Sequence, residues 1–229
     1  MSKITGINGR ILYNSRGSKT IEVDVISDEN FTGRVCAPSG ASVGKYEAVS
    51  FPNNNPEESL ALLKTNSDKF IGKDPSDLKS IHDVIKTIDD TDNYSKIGGA
   101  CAFAITIAAT ESAAKLQGIP FYKIINPDVD LKFPFPLGNI LGGGAHAGPG
   151  TPDIQEILIA STGAKTVHEA IDMNLQVHKE LRNVIQEHDP NFTNGRGDEG
   201  GWAPRYDLSL IHISEPTRRY AIAYAGFCL

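Results

Sequence analysis

Ile21-Glu22-Val23-Asp24-Val25, followed across Asp28-Glu29-Asn30 by Phe31 to Ala37, decides how the N-terminal part of the chain folds. Apolar and acidic residues alternate along the first segment, the period of a strand with one buried face. The polar turn sends the chain back as a second strand, so the opening of the sequence reads as a β-meander. Next comes Pro38-Ser-Gly-Ala-Ser-Val-Gly44, a loop of small residues that no packing argument explains.

Helix signals follow the meander. Asn55-Pro56-Glu57-Glu58 supplies a cap, a proline at the first helical position and acid in the first turn. Asp74-Pro75 is expected to open a second helix, with Leu78, Ile81, Ile85 and Ile88 on one stripe. A third, from about Ala100 to Leu116, is so rich in Ala and Ile on every side that it should be buried, and Gly118 and Pro120 stop it. Strands and then helices predict an α+β domain over residues 1–125.

The pattern changes after Asn126-Pro127-Asp128. Phe133 to Leu141 and Ile154 to Ala160 read as buried strands flanking a glycine-rich run, Gly142 to Gly150. Thr166-x-x-Glu169 is a capping box, opening a helix with Ala170, Val177, Leu181 and Val184 expected on its inner face. Asn191 to Pro204 reads as a Gly/Asp loop.

Composition excludes several classes. The 229 residues are 40% hydrophobic and 22% charged, with a formal net charge of -6, which does not fit a disordered chain. No apolar run reaches the ~18 to 20 residues needed to span a bilayer, and the N-terminus does not read as a signal peptide. The acidic balance disfavours nucleic acid as a partner. Three scattered cysteines, Cys36, Cys101 and Cys228, suggest reduced thiols and a cytoplasmic protein.

Three loops place polar groups among glycines at the ends of expected strands. Ser39-Gly-Ala-Ser42 is either a flexible turn or a lid whose hydroxyls and amides approach a ligand or a hard cation. In Gly142-Gly-Gly-Ala-His146-Ala-Gly148 the imidazole has no core to fill, although a lone histidine can be structural. The run lacks both the phosphate-loop lysine and the dinucleotide-binding spacing. Gly197-Asp-Glu199-Gly-Gly201 is an acidic turn, and Gln155-Glu156 interrupts an otherwise apolar strand. A buried carboxylate is costly unless paired or used. Glu156 and Glu199 are therefore a candidate pair for general acid chemistry, one acid tuning the other.

Five motifs, Asn14-Ser-Arg-Gly17, Ser39-Gly-Ala-Ser42, Gly143-Gly-Ala-His-Ala-Gly148, Ile154-Gln-Glu156 and Gly197-Asp-Glu-Gly-Gly201, stand in the order and approximate spacing of enolase. The chain resembles that family from about Ile4 to Pro204. Pro149-Gly-Thr-Pro152 looks more like archaeal or bacterial-type enolases than animal ones. The resemblance implies an α+β capping domain followed by an incomplete (β/α)8 barrel with an irregular first connection. It also implies reversible dehydration of 2-phosphoglycerate to phosphoenolpyruvate, a carbon-oxygen lyase reaction of glycolysis and gluconeogenesis. Position by position, Ser42 resembles the loop residue that ligates the second of two Mg2+ ions, and His146 the histidine that contacts substrate. Gln155 and Glu156 resemble the substrate-contacting pair, and Glu199 the acid that protonates the leaving hydroxyl. Arg16 falls where the family pairs subunits in a homodimer or larger homo-oligomer.

Length strains this reading. A barrel takes roughly 250 residues, and the capping domain already occupies 1–125. The family's acidic ligands for the first Mg2+ and its base lysine come from later strands and have no counterpart here. The expected barrel portion covers 126–207. From Leu208 on, Leu-Ser-Leu-Ile-His-Ile-Ser-Glu-Pro-Thr-Arg218 resembles a translated sequencing adapter, so 208–229 reads as an artefactual tail. The expectation is a truncated enolase, itself inactive. The alternatives are a non-catalytic enolase-like binding module and another lyase of the enolase superfamily.

Overall fold

The computed structural model describes residues 2–28, 30–40, 43–144, 147–152 and 154–205. Ser42, His146 and the stretch 208–229 lie outside the described residues. The chain divides into two compact units, Met1–Asp130 and Leu131–Leu229.

In the first unit β1 (Ile4–Tyr13), β2 (Lys19–Ser27) and β3 (Phe31–Cys36) form an antiparallel sheet with β2 in the centre. Val23 pairs with Gly9 on one side and Val35 on the other. The alternation in β2 predicts one wet face, yet both faces are buried: Ile21, Val23 and Val25 are fully covered, and Glu22 and Asp24 are each only 8% exposed. The flanking strands explain the difference. Arg10 on β1 pairs with Glu22 and Asp24, and Arg34 on β3 donates its Nε to Asp24 at 2.7 Å. Their aliphatic stems roof the acidic row while the guanidinium heads neutralise it. The Arg34 hydrogen bond, opposed by burial and helped by the charges of both arginines, holds the Asp24 carboxyl below its usual range.

Helix α1 (Pro56–Thr65) starts where the sequence places it, with the Asn55 side chain accepting from the Glu57 amide at 3.1 Å. Helix α2 (Leu78–Ile88) starts later than Asp74-Pro75 suggests. The Asp74 carboxylate is taken by the Ser76 amide and hydroxyl, at 2.8 and 2.6 Å, in a local turn. Asp77 supplies the cap instead, accepting from the Ser80 amide at 3.0 Å. Helix α3 (Gly99–Gln117) lies across β2 and β3 and buries Cys101, Ala104, Ile105, Ala108 and Ala109 completely. The approach is close enough that a β-carbon on Gly33 would stand 1.9 Å from the Ala108 carbonyl oxygen, so only glycine fits beneath the helix. Ser112 of α3 donates to the Phe31 carbonyl at 2.7 Å, fastening the helix to the β2–β3 turn. A short α4 (Phe121–Ile125), which the sequence did not announce, ends the unit's helices.

Burial alone pushes the Cys101 thiol up to about 12, whereas Cys36 is exposed, with its Sγ 3.0 Å from a Glu22 oxygen. Because the thiolate is the reactive species, a maleimide should label Cys36 in the native protein and reach Cys101 only after denaturation. Peptide mapping reads this directly, and equal labelling at both sites would show that α3 is not seated on the sheet.

In the second unit β4 (Leu137–Gly142) and β5 (Glu156–Ala160) pair antiparallel, Gly142 facing Glu156. Both strands are shorter than the sequence pattern suggests. Helix α5 (Val167–His188) begins at the expected Thr166 cap, whose hydroxyl accepts from the Glu169 amide at 3.1 Å. The Glu169 carboxylate returns to the Lys165 amide at 2.7 Å rather than to Thr166. The inner face of α5 differs from the expected one: Ala170, Asn174 and Ile185 are buried, Val177 and Leu181 are half-buried, and Val184 is 47% exposed. Asn174 explains the tolerated polarity, since its amide accepts from the Ser161 hydroxyl at 2.8 Å and donates to the Pro136 carbonyl at 2.9 Å. The described residues form no closed barrel. They form a strand pair and a helix that leave Phe133, Leu137, Ile154, Leu158, Ile171 and Leu175 largely exposed. No helix among the described residues is long and apolar enough to cross a membrane.

Candidate active site

Two glycine-rich connections set the geometry around β4. The Gly143 amide donates to the Gln155 carbonyl at 2.8 Å and the Gly144 amide to the Pro152 carbonyl at 2.7 Å. These bonds lace the loop after β4 to the entry of β5 and deliver Glu156 opposite Gly142. On the other edge of β4, the Trp202 amide donates to the Ile140 carbonyl at 3.1 Å, and the Gly142 amide donates to the Trp202 carbonyl at 2.9 Å. The segment carrying Trp202 thus lies parallel to β4, next to Leu141.

Gly197 to Gly201 closes on itself, with the Gly197 amide donating to the Gly201 carbonyl at 2.9 Å. Trp202 anchors this acidic turn. Its ring stacks on His178 with centroids 4.6 Å apart, meets Phe192 edge-on at 6.1 Å, and carries Arg196 over its face at 4.5 Å. Its indole nitrogen donates to the His178 carbonyl at 2.7 Å, and the His178 ring nitrogen meets the Gly200 carbonyl at 3.1 Å. The turn is therefore held to α5 on one side and to β4 on the other.

The result brings the two sequence-predicted acids together. The Asn139 side-chain nitrogen donates to Glu156 at 3.3 Å and to Glu199 at 3.1 Å. Two carboxyl groups fastened to one nitrogen cannot both shed a proton without mutual repulsion, and such an arrangement favours one acid and one base.

The other expected residues are placed differently. Gln155 is exposed just before β5, and its carbonyl is the acceptor that holds the glycine loop. Arg16 sits in the exposed β1–β2 turn, its amide donating to the Asn14 side chain at 2.9 Å. That same Asn14 donates to the Ser39 hydroxyl at 2.9 Å, so two motifs separate in sequence share a hydrogen bond. Asn139 was missed by sequence reasoning. The signal that exposed Glu156, a polar residue inside an apolar strand, applies equally to Asn139 between Leu137 and Leu141. Among the described residues no three His, Cys, Asp or Glu side chains converge on a metal position. These residues by themselves do not make a magnesium site.

A family model described as "Enolase, N-terminal domain" matches residues 4–125. The chain belongs to the enolase family. A second model, "Enolase, C-terminal TIM barrel domain", matches residues 130–227. Archaeal enolases are among the similar proteins. That of Methanosphaera stadtmanae is 44% identical over 204 residues, covering 89% of this chain and 49% of the relative. That of Methanothermobacter thermautotrophicus is 43% identical over the same extent. The enolase of Pyrobaculum aerophilum is 35% identical over 86% of this chain and 48% of its own length. The chain spans about half the length of the curated relatives it matches.

Proposed function

We propose that the complete protein to which this chain belongs catalyses the reversible dehydration of 2-phosphoglycerate to phosphoenolpyruvate. The observation that carries the reading is the convergence of Glu156 and Glu199 on Asn139. The reaction removes a weakly acidic proton next to a carboxylate and expels hydroxide, a poor leaving group. A carboxylic acid must hand a proton to that oxygen as its bond to carbon breaks. Glu199, in a turn pinned by Trp202, is the proton donor in this proposal. Glu156 lies beside the departing hydroxyl, its charge favouring the protonated form of its neighbour. Gln155 and His146 are assigned to substrate contact.

A divalent cation, Mg2+ in this family, belongs to the same proposal, with Ser42 as one of its ligands. The described residues hold no cluster of three His, Cys, Asp or Glu side chains that could bind it. Assembly into a dimer or larger homo-oligomer, with Arg16 at the subunit contact, and a cytoplasmic location are likewise proposed. So is the division into a capping domain over 1–125, a barrel portion over 126–207 and an adapter-derived tail over 208–229. Reading the gene from genomic DNA beyond the codon for Asp207 decides the last of these.

The experiment is a coupled assay of phosphoenolpyruvate formation on two proteins, the complete gene product and the 229-residue chain. The complete protein should turn over 2-phosphoglycerate in the presence of Mg2+, and the chain alone should not. An inactive complete protein would sink the assignment of activity, and an active 229-residue chain would sink the claim that it lacks essential groups.

A further inference from the structure

We propose that Asn139 is a positioning residue that couples the two acids, fixing their separation and orientation through one carboxamide. The inference rests on the lyase reading above and extends it to a residue with no assigned role.

Three observations carry it. First, a primary amide has two N–H groups, and here its nitrogen meets Glu156 at 3.3 Å and Glu199 at 3.1 Å, one bond for each carboxylate. The two acids come from β5 and from the turn before Trp202, so the amide is a direct tie between elements 60 residues apart in sequence from Asn139 to Glu199. Second, the other end of the amide is held by shape rather than by bonding. Asn139 Oδ1 is buried and accepts no hydrogen bond among the described residues. A buried unsatisfied oxygen costs stability, and aspartate or a small apolar residue would remove the orphan or change its character. Third, the acidic turn makes room for that oxygen. A β-carbon on Gly201 would stand 2.2 Å from Asn139 Oδ1. The glycine is thus matched to the asparagine.

An amide donor shared by two acids lowers the cost of charge on both and fixes the direction in which each presents its oxygens. Proton transfer depends on a donor held within hydrogen-bonding reach of the leaving oxygen. Removing the tie takes this hydrogen bond from each acid while leaving the strand pair intact. Among the described residues, the other ionisable groups near the pair include Asp198, next to Glu199 in the turn, His178 from α5, whose ring meets the Gly200 carbonyl, and Arg196 over the Trp202 ring. β4 and β5 contribute none besides Glu156.

The test uses the complete protein, with Asn139→Ala and the isosteric Asn139→Asp. Asn139→Ala should lower kcat roughly 10- to 100-fold, the loss of one or two hydrogen bonds to charged groups, with KM changed far less. Asn139→Asp replaces two donors by a third negative charge, so it should cost more, and the acidic limb of its pH profile should move upward. A structural role alone would not produce the next result. Asn139→Ala added to Glu199→Gln should cost almost nothing further, because the acid it positions is already gone. A full repeat of the single-variant loss in that background, or an unchanged kcat and pH profile in both single variants, overturns the proposal.

Carboxyl 13C titration of Glu156 and Glu199 supplies a readout independent of turnover. Both should titrate at higher pH in Asn139→Ala than in the parent, and unchanged titrations overturn the coupling. If the complete protein proves inactive toward 2-phosphoglycerate, the lyase assignment falls, while this titration still decides whether Asn139 couples the acids. Trp202 fluorescence confirms that each variant keeps its turn folded.

Discussion

Glu199→Gln in the complete protein is expected to lower kcat for dehydration by about 10²- to 10⁴-fold, the usual contribution of a positioned general acid. The substitution keeps the shape of the side chain and its ability to accept from the Asn139 nitrogen 3.1 Å away. What it removes is the transferable proton. Because the loss falls on the leaving step, KM should change much less than kcat. Abstraction of the carbon-bound proton is a separate event, so exchange of that hydrogen with solvent deuterium should survive better than product formation. Glu156→Gln offers the contrast. It removes the neighbouring charge without removing the donor, so its effect should be smaller, and because that charge no longer favours protonated Glu199, the alkaline limb of the profile should move to lower pH. Steady-state kinetics and proton exchange on both variants check this. A Glu199→Gln enzyme within tenfold of the parent would remove Glu199 from the role of acid.

The largest expected effect on stability is at Asp89, which closes α2 and is fully buried. Its carboxylate accepts from the Thr91 amide at 3.0 Å, the Lys96 amide at 2.9 Å and the Ile97 amide at 2.8 Å, and from the Thr91 hydroxyl. One side chain thus organises the whole connection from α2 to α3. Burial on its own would raise this carboxyl, but the Thr91 hydroxyl and the Ile97, Thr91 and Lys96 amides outweigh it and hold it below the usual range. Asp89→Ala strands several buried donors and should destabilise the first unit by about 2–4 kcal/mol. The sign of the pH dependence follows from the lowered carboxyl. Its contribution is complete above the ordinary aspartate value of about 4 and fades as pH falls through the lower folded-state value. The gap between parent and Asp89→Asn in urea unfolding should therefore be widest near neutrality and narrow in acid. A gap that widens toward low pH would contradict this assignment.

Much of this architecture is written locally in the chain. The α1 cap at Asn55, the Thr166 cap of α5 and the glycine stop at Gly118 depend on a few adjacent residues, and each stands where the sequence puts it. Readings failed where a side chain found a partner that the strand or helix pattern does not encode. The acidic face of β2 is dry because arginines on both neighbouring strands cover it. The start of α2 moved because the Asp74 side chain found Ser76 before it could cap a helix. The inner face of α5 shifted because Asn174 is satisfied from two directions. The same holds for the site. Glu156 and Glu199 were legible as acids in unusual settings, but their meeting depends on Asn139 and on the parallel bridge between Leu141 and Trp202, neither of which has a local signature.

Trp202 is the only tryptophan in the chain, and it sits 4% exposed three residues beyond Glu199. Its emission is a built-in optical gauge of the acidic turn. With the indole sealed among His178, Phe192 and Arg196, the native spectrum should lie to the blue and shift red when the turn lets go. The first unit contains no such chromophore, so one instrument can follow the fate of the site while circular dichroism follows the rest.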